Sequence, residues 1–226
     1  MYNTKNDVVN SYIVNKDTQC LKETWCYMSK IITVEKILGV DQSINCTGVC
    51  LHTIETDHSG DKPHEYHSYQ YWLIPANNKC TKKMLAFSNP WITIDPYKKM
   101  DGDDYVSKEV AKTMNIYAIC DIIESIIQTE KPDTLVMEGI SYGSRGSAAL
   151  VDLAGLNYCI RMMAIRRGLG IAIVSPTSLK MRATGNGGAE KEEMIWAWKQ
   201  CDTNIADVKE IKIDDLADAF FLSKCQ

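Results

Sequence analysis

Apolar positions along this chain change period repeatedly, and the changes mark its elements. "KILGVDQ", "CTGVCLHTIET" and "YHSYQYWLIP" are β-rich runs parted by polar segments, one of them the Gly- and Pro-bearing "DHSGDKPHE". Runs this close in sequence predict an antiparallel three-strand meander. A long Pro- and Gly-broken connection follows, up to residue 103. Val110, Met114, Ile116, Tyr117, Ile119, Ile122, Ile123, Ile126 and Ile127 then recur at helical spacing, with Ser107 as cap and Pro132 as stop. "DTLVMEG" is a fourth strand, apolar and ending in Glu138. A Gly/Ser loop, "ISYGSRGS", leads to a helix over residues 148–167. "GIAIVSP" reads as a fifth, buried strand. The loop "TGNGGAE" opens the helix "KEEMIWAWKQ", and "DDLADAFFLSKC" is the last helix. A meander followed by βα units predicts an α/β fold: a mixed sheet, three antiparallel strands then parallel ones, flanked by helices. Residues 1–35 have no clear period and read as an extension with one short helix, Met28 being an alternative start. Residues 36–226 read as one domain.

The composition, 45% hydrophobic and 24% charged over 226 residues, suits a globular chain with one core. No apolar run approaches the roughly twenty residues of a membrane span, so no membrane is expected. The nine cysteines are odd in number and include no C-x-x-C pair, which predicts reduced thiols in a cytoplasmic compartment rather than a disulfide framework. Cys46 and Cys50, with His52 nearby, are too loosely spaced for a usual zinc motif. Net charge is −4, but its distribution changes the picture. Residues 158–191 carry +5, leaving −9 elsewhere. A confined basic segment is the footprint of a phosphate-facing surface; a solvated basic face accounts for the charge alone equally well.

Chemistry gathers in the acids. Asp41 ends the first strand and Glu138 the fourth, the end of an α/β sheet where ligands bind. Asp215 and Asp218, three apart on the last helix, share a face. Each has a plainer role: Asp41 as a turn cap, Glu138 paired with Arg145, Asp215 and Asp218 favouring a helix N-terminus. As a set in this strand order they predict convergence, and four clustered carboxylates repel unless cations neutralise them. Oxygen donors suit Mg²⁺ or Mn²⁺. Two such ions about 3.5–4 Å apart would serve phosphodiester cleavage.

Four segments resemble the motifs of the RuvC-type Holliday junction resolvases, in that family's order. "GVDQSINCTGV" is similar to the first, "LVMEGISYG" to the second, "SPTSLKMRATGNGGAEKEEM" to the third and most specific, and "DDLADAFFLS" to the last. The loop "GISYGSRGSAALVDLAGL" looks most like the phage- and virus-encoded branch, which implies the host cytoplasm. The resemblance spans residues 36–226. It implies a ribonuclease H-like fold and a homodimer cutting four-way DNA junctions with Mg²⁺ or Mn²⁺. It implies Asp41, Glu138, Asp215 and Asp218 as the catalytic, metal-binding acids, and Lys180 and Lys191 as functional lysines. Tyr142 takes the place of an aromatic that opens the junction centre, and Arg145, Arg182 and Asn186 join the expected DNA contacts. There are departures: Gln42 stands where many members have proline, and Tyr142 lies four residues past the acid rather than three.

The segment 148–165 is apolar nearly all round, interrupted by Asp152, Asn157 and Arg161. Such a helix is covered on two sides, which predicts a two-fold partner. Competing functions are a broader flap and fork endonuclease, a non-catalytic junction binder, and a nucleotide-handling enzyme of the actin and sugar-kinase fold. The complete acid set argues against the binder. The length argues against the last, which needs two such domains.

Overall fold

The computed structural model describes residues 32–140, 147–208 and 213–225. Residues 1–31, with the expected short helix and Met28, lie outside the described residues, as do Tyr142 and Arg145.

Six strands form one sheet: β1 (Ile32–Asp41), β2 (Cys46–Asp57), β3 (His64–Pro75), β4 (Ile92–Ile94), β5 (Thr134–Glu138) and β6 (Gly170–Val174), in the order β4-β3-β2-β1-β5-β6. β1, β2 and β3 are the antiparallel meander. β5 pairs parallel to β1, and β6 parallel to β5. β1 begins four residues ahead of the expected boundary, its first part paired to the distal half of β2.

Several details correct the sequence reading. The irregular connection holds a helical turn, α1 (Lys82–Leu85), and β4, which pairs parallel to β3 as an edge strand. Three paired residues leave too little pattern to find. β6 is the other edge, and Ile173 is 45% exposed, so this strand is not buried. α2 (Tyr105–Glu130) starts earlier than expected, because Asp104 is its N-cap and Ser107 returns a bond to the Asp104 N–H in a capping box.

The sheet has a helical layer on each face. α2 and α3 (Ser147–Arg166) cover one, where Ile119, Ile123, Leu156 and Ile160 meet Leu38, Val40, Val49 and Met137. α2 turns this face with Ala111, Asn115, Ile119 and Ile123, while Val110, Met114 and Tyr117 of the expected apolar stripe are exposed. α4 (Pro176–Thr184), α5 (Lys191–Cys201) and α6 (Asp214–Ser223) cover the other face, where Leu179, Trp198 and Phe220 meet Ile37, Cys50 and Tyr71. α4 lies between the expected strand "GIAIVSP" and the expected loop "TGNGGAE", where the sequence predicts no element; Ser175 caps it, Pro176 opens it, and Gly185 closes it at φ +78°. A buried relay fixes α5: Trp198 Nε1 donates to the Tyr71 hydroxyl (3.0 Å), which donates to Asp202 (2.6 Å).

Candidate metal and DNA site

Strand parity decides where the first two acids point. Ile37, Gly39 and Asp41 alternate onto the α6 face, and so do Val136 and Glu138. Val40 pairs with Met137 in the parallel β1–β5 ladder, so Asp41 and Glu138 stand side by side at the carboxyl ends of neighbouring strands. Both are half-buried.

α6 comes to them because two glycines let it. Asp41 pairs with Gly48, and a Cβ on Gly48 would lie 2.1 Å from the Asp215 carbonyl oxygen. A Cβ on Gly39 would lie 2.2 Å from the Ala219 carbonyl oxygen. The backbone of α6 therefore rests directly on β1 and β2. Thr47 and Gly48 are part of β2 itself. Thr47 closes the preceding turn, its hydroxyl donating to the Ser43 carbonyl (2.8 Å).

On α6, Asp218 is pushed up to about 6, first by burial and then by the charge of Asp215; Asp214 raises it further, while Lys191 and Lys180 oppose the shift. Three acids and two lysines thus share one electrostatic neighbourhood. Asp214, buried and not singled out in the sequence, forms an ion pair with Lys191 at the start of α5. That bond, with the fields of Asp214, Asp215 and Asp218, raises Lys191 above the usual lysine range. A second acid beside Asp215 is the only signal for Asp214 in the sequence.

The remaining expected residues divide. Lys180 is half-buried on α4. Arg182, on the same helix, is exposed and bonds the Cys225 thiol. Asn186 shapes its own loop, its side-chain oxygen accepting from Gly188 N–H (3.0 Å). His52 and Cys50 are engaged elsewhere: His52 bonds the Ser223 carbonyl (3.2 Å) and His67 (2.9 Å), and Ser223 Oγ donates to Cys50 Sγ (3.5 Å).

Whether these acids suit a cation can be judged from the donors. They are all oxygen and come from two strand ends and one helix, and the charge of Asp215 raises the proton affinity of Asp218, which fits a hard divalent ion. Among the described residues no group of three or more His, Cys, Asp or Glu is already set to hold an ion. Among the described residues no helix is long and apolar enough to cross a membrane.

Residues 103–226, more than half of the chain, match the family model described as crossover junction endodeoxyribonuclease RuvC. Glu138, Lys180, Lys191, Asp215 and Asp218 fall inside the match; Asp41 precedes it, and the β1–β5 ladder brings it to the same place. A protein of that name from Syntrophomonas wolfei is 26% identical over 113 residues, 50% of this chain and 63% of its own length. One from Caldicellulosiruptor saccharolyticus is 22% identical over 84% of this chain and 90% of its own. The chain thus spans less than two thirds of the first relative and nearly all of the second. The Thermus thermophilus RuvC structure superposes with a TM-score of 0.50 at 12% identity, covering 84% of this chain and 90% of that one, so the ribonuclease H-like fold is shared. The family match over the segment that holds three of the four acids establishes that the chain belongs to the family of the crossover junction endodeoxyribonuclease RuvC.

Proposed function

We propose that this chain is a metal-dependent, structure-selective DNA endonuclease that resolves four-way junctions by paired phosphodiester hydrolysis. The observation that carries the reading is the seating of α6. Gly48, paired with Asp41, brings the Asp215 backbone against the strand end where Asp41 and Glu138 stand side by side. Asp41, Glu138, Asp215 and Asp218 would hold Mg²⁺ or Mn²⁺, two ions in all, and such ions supply an activated water and stabilisation of the leaving oxygen.

The chain's own residues do the rest. Lys180 and Lys191 flank the acids and present point charges to a phosphate. Lys191 also opens α5, whose first backbone N–H groups favour an anion. Asp214 holds the Lys191 ammonium beside the acids and keeps it charged. Arg182, Asn186, Tyr142 and Arg145 remain part of the proposed DNA contact.

The proposed assembly is a homodimer through α3. Its inner face is buried in the core, while Val151, Tyr158, Met162 and Ile165 are exposed at 67, 51, 52 and 65%. That stripe is apolar and lies along one side of the helix, which suits a two-fold partner. A dimer would bring one site to each of two strands of a symmetric junction.

A panel of labelled four-way junction, flap, fork and linear duplex, incubated with Mg²⁺, tests the reading. The expected result is symmetric nicks on two opposed junction strands and an uncut duplex. Equal cutting of flaps and forks would favour the broader branched-DNA nuclease. Binding of the junction without any cutting would leave a junction-binding protein.

A further inference from the structure

The peptide at the end of β5 is held more firmly than a strand end requires. Gly139 N–H donates to the Val174 carbonyl of β6 at 2.8 Å. The Glu138 carbonyl accepts two side-chain amides: Asn157 Nδ2 from α3 at 3.1 Å and Gln42 Nε2 at 3.4 Å. Asn157 is fully buried and Gln42 is 5% exposed.

Both amides are expensive where they are. Asn157 sits among the buried Leu153, Leu156, Ile160 and Ala164 on the inner face of α3. Its Oδ1, and Oε1 of Gln42, have no hydrogen-bond partner among the described residues. A buried amide with half its capacity unused costs stability that a hydrocarbon of similar size would not. Packing therefore does not account for either residue, whereas the shared target does. Gln42 immediately follows Asp41, so its bond ties the end of β1 to Glu138. Asn157 ties the same carbonyl to α3.

We infer that Asn157 and Gln42 are positioning residues, a pair of amides that clamps the Glu138 carbonyl and so fixes the Glu138 carboxylate relative to Asp41. The inference rests on the proposed reading of Glu138 as a metal-binding acid. The clamp also links each site to the helix proposed for the dimer. Neither amide touches the reacting atoms.

The test uses the full chain, without DNA, in four forms: wild type, Asn157→Leu, Glu138→Gln, and Leu153→Ala as a control that loses core packing on the same helix face. Two readouts are needed. Hydrogen exchange at the Gly139 amide reports on the clamp, and calorimetric Mn²⁺ binding reports on its consequence. In Asn157→Leu, Gly139 exchange speeds up and Mn²⁺ affinity falls about tenfold, the size usual for loss of a group that orients a metal ligand. Leu153→Ala leaves both near wild type once corrected for its stability. Unchanged Gly139 exchange, or Mn²⁺ affinity within twofold of wild type, in Asn157→Leu overturns the inference. Where Asn157→Leu does not fold, Gln42→Leu, in the loop after β1, is measured by the same two readouts, and the same results support or overturn the clamp. Glu138→Gln separates the two readings. If it binds Mn²⁺ like wild type, the metal role of Glu138 falls and the clamp loses its purpose. If it binds weakly while Asn157→Leu binds normally, the clamp alone falls.

Discussion

Gly48 is a single hydrogen away from a clash. Its Cβ would stand 2.1 Å from the Asp215 carbonyl oxygen and 2.5 Å from its carbonyl carbon, both backbone atoms that no rotamer change can move. Gly48→Ala is therefore expected to push α6 off the sheet, losing about 1–3 kcal/mol, a usual cost of overpacking. Urea titration measures the loss, and junction cutting in the same preparation should fall with it. His52 carries a second residue-scale prediction. It faces the Ser223 carbonyl through Nδ1, which must carry the proton, and Nε2 then accepts from His67. Burial lowers its pKa from 6.5 to about 4, so the folded chain keeps it neutral where the unfolded chain protonates. Its contribution is complete above pH 6.5 and is lost as pH falls toward 4. That loss is up to about 3 kcal/mol on the standard conversion of shift to free energy. Asp218, pushed up to about 6, titrates in the same range with the opposite sign, so the test is the difference between wild type and His52→Leu: measured by urea at steps between pH 7.5 and 4, it should follow this slope.

At the scale of elements, legibility follows from how much pattern each element carries. The meander and β5 are long or strongly apolar, and their runs mark them plainly. α6 is short, but "DDLADAFF" buries nearly every residue except Asp215 and Asp218, so its polar exceptions stand out. β4 pairs through only three residues inside a Pro-rich connection, and nothing local distinguishes it. α4 has a polar sequence and buries only Leu179; its signals are Ser175, Pro176 and Gly185, which mark ends rather than a period. β6 reads as buried because Gly-Ile-Ala-Ile-Val is continuous, but an edge strand under a partial helical layer can have the same composition. The site is legible as residue types and strand ends. Its assembly is not, because the approach of α6 depends on tertiary contacts at Gly39 and Gly48. Asp214 escapes the sequence for the same reason: only the fold brings it to Lys191.

The whole molecule has two faces with different needs. One carries the acids and lysines at the strand ends, and the other presents the exposed apolar residues of α3. If α3 is the dimer helix, Ile165→Asp should convert a dimer to a monomer in sedimentation at micromolar concentration while leaving the monomer's melting cooperative. A wild-type chain that sediments as a monomer would remove that part of the account. The central claim is that Asp41, Glu138, Asp215 and Asp218 form a metal-dependent cutting site on branched DNA. Asp41→Asn tests it most directly, because it removes one charge at the end of β1 and keeps the side chain's size. Cleavage and binding of a labelled four-way junction should be measured on the same protein, cleavage with Mg²⁺ and binding without it. The account predicts cutting reduced by at least about a thousandfold, on the scale of losing an essential group, with junction affinity retained. Junction cutting by Asp41→Asn at the wild-type rate would contradict it.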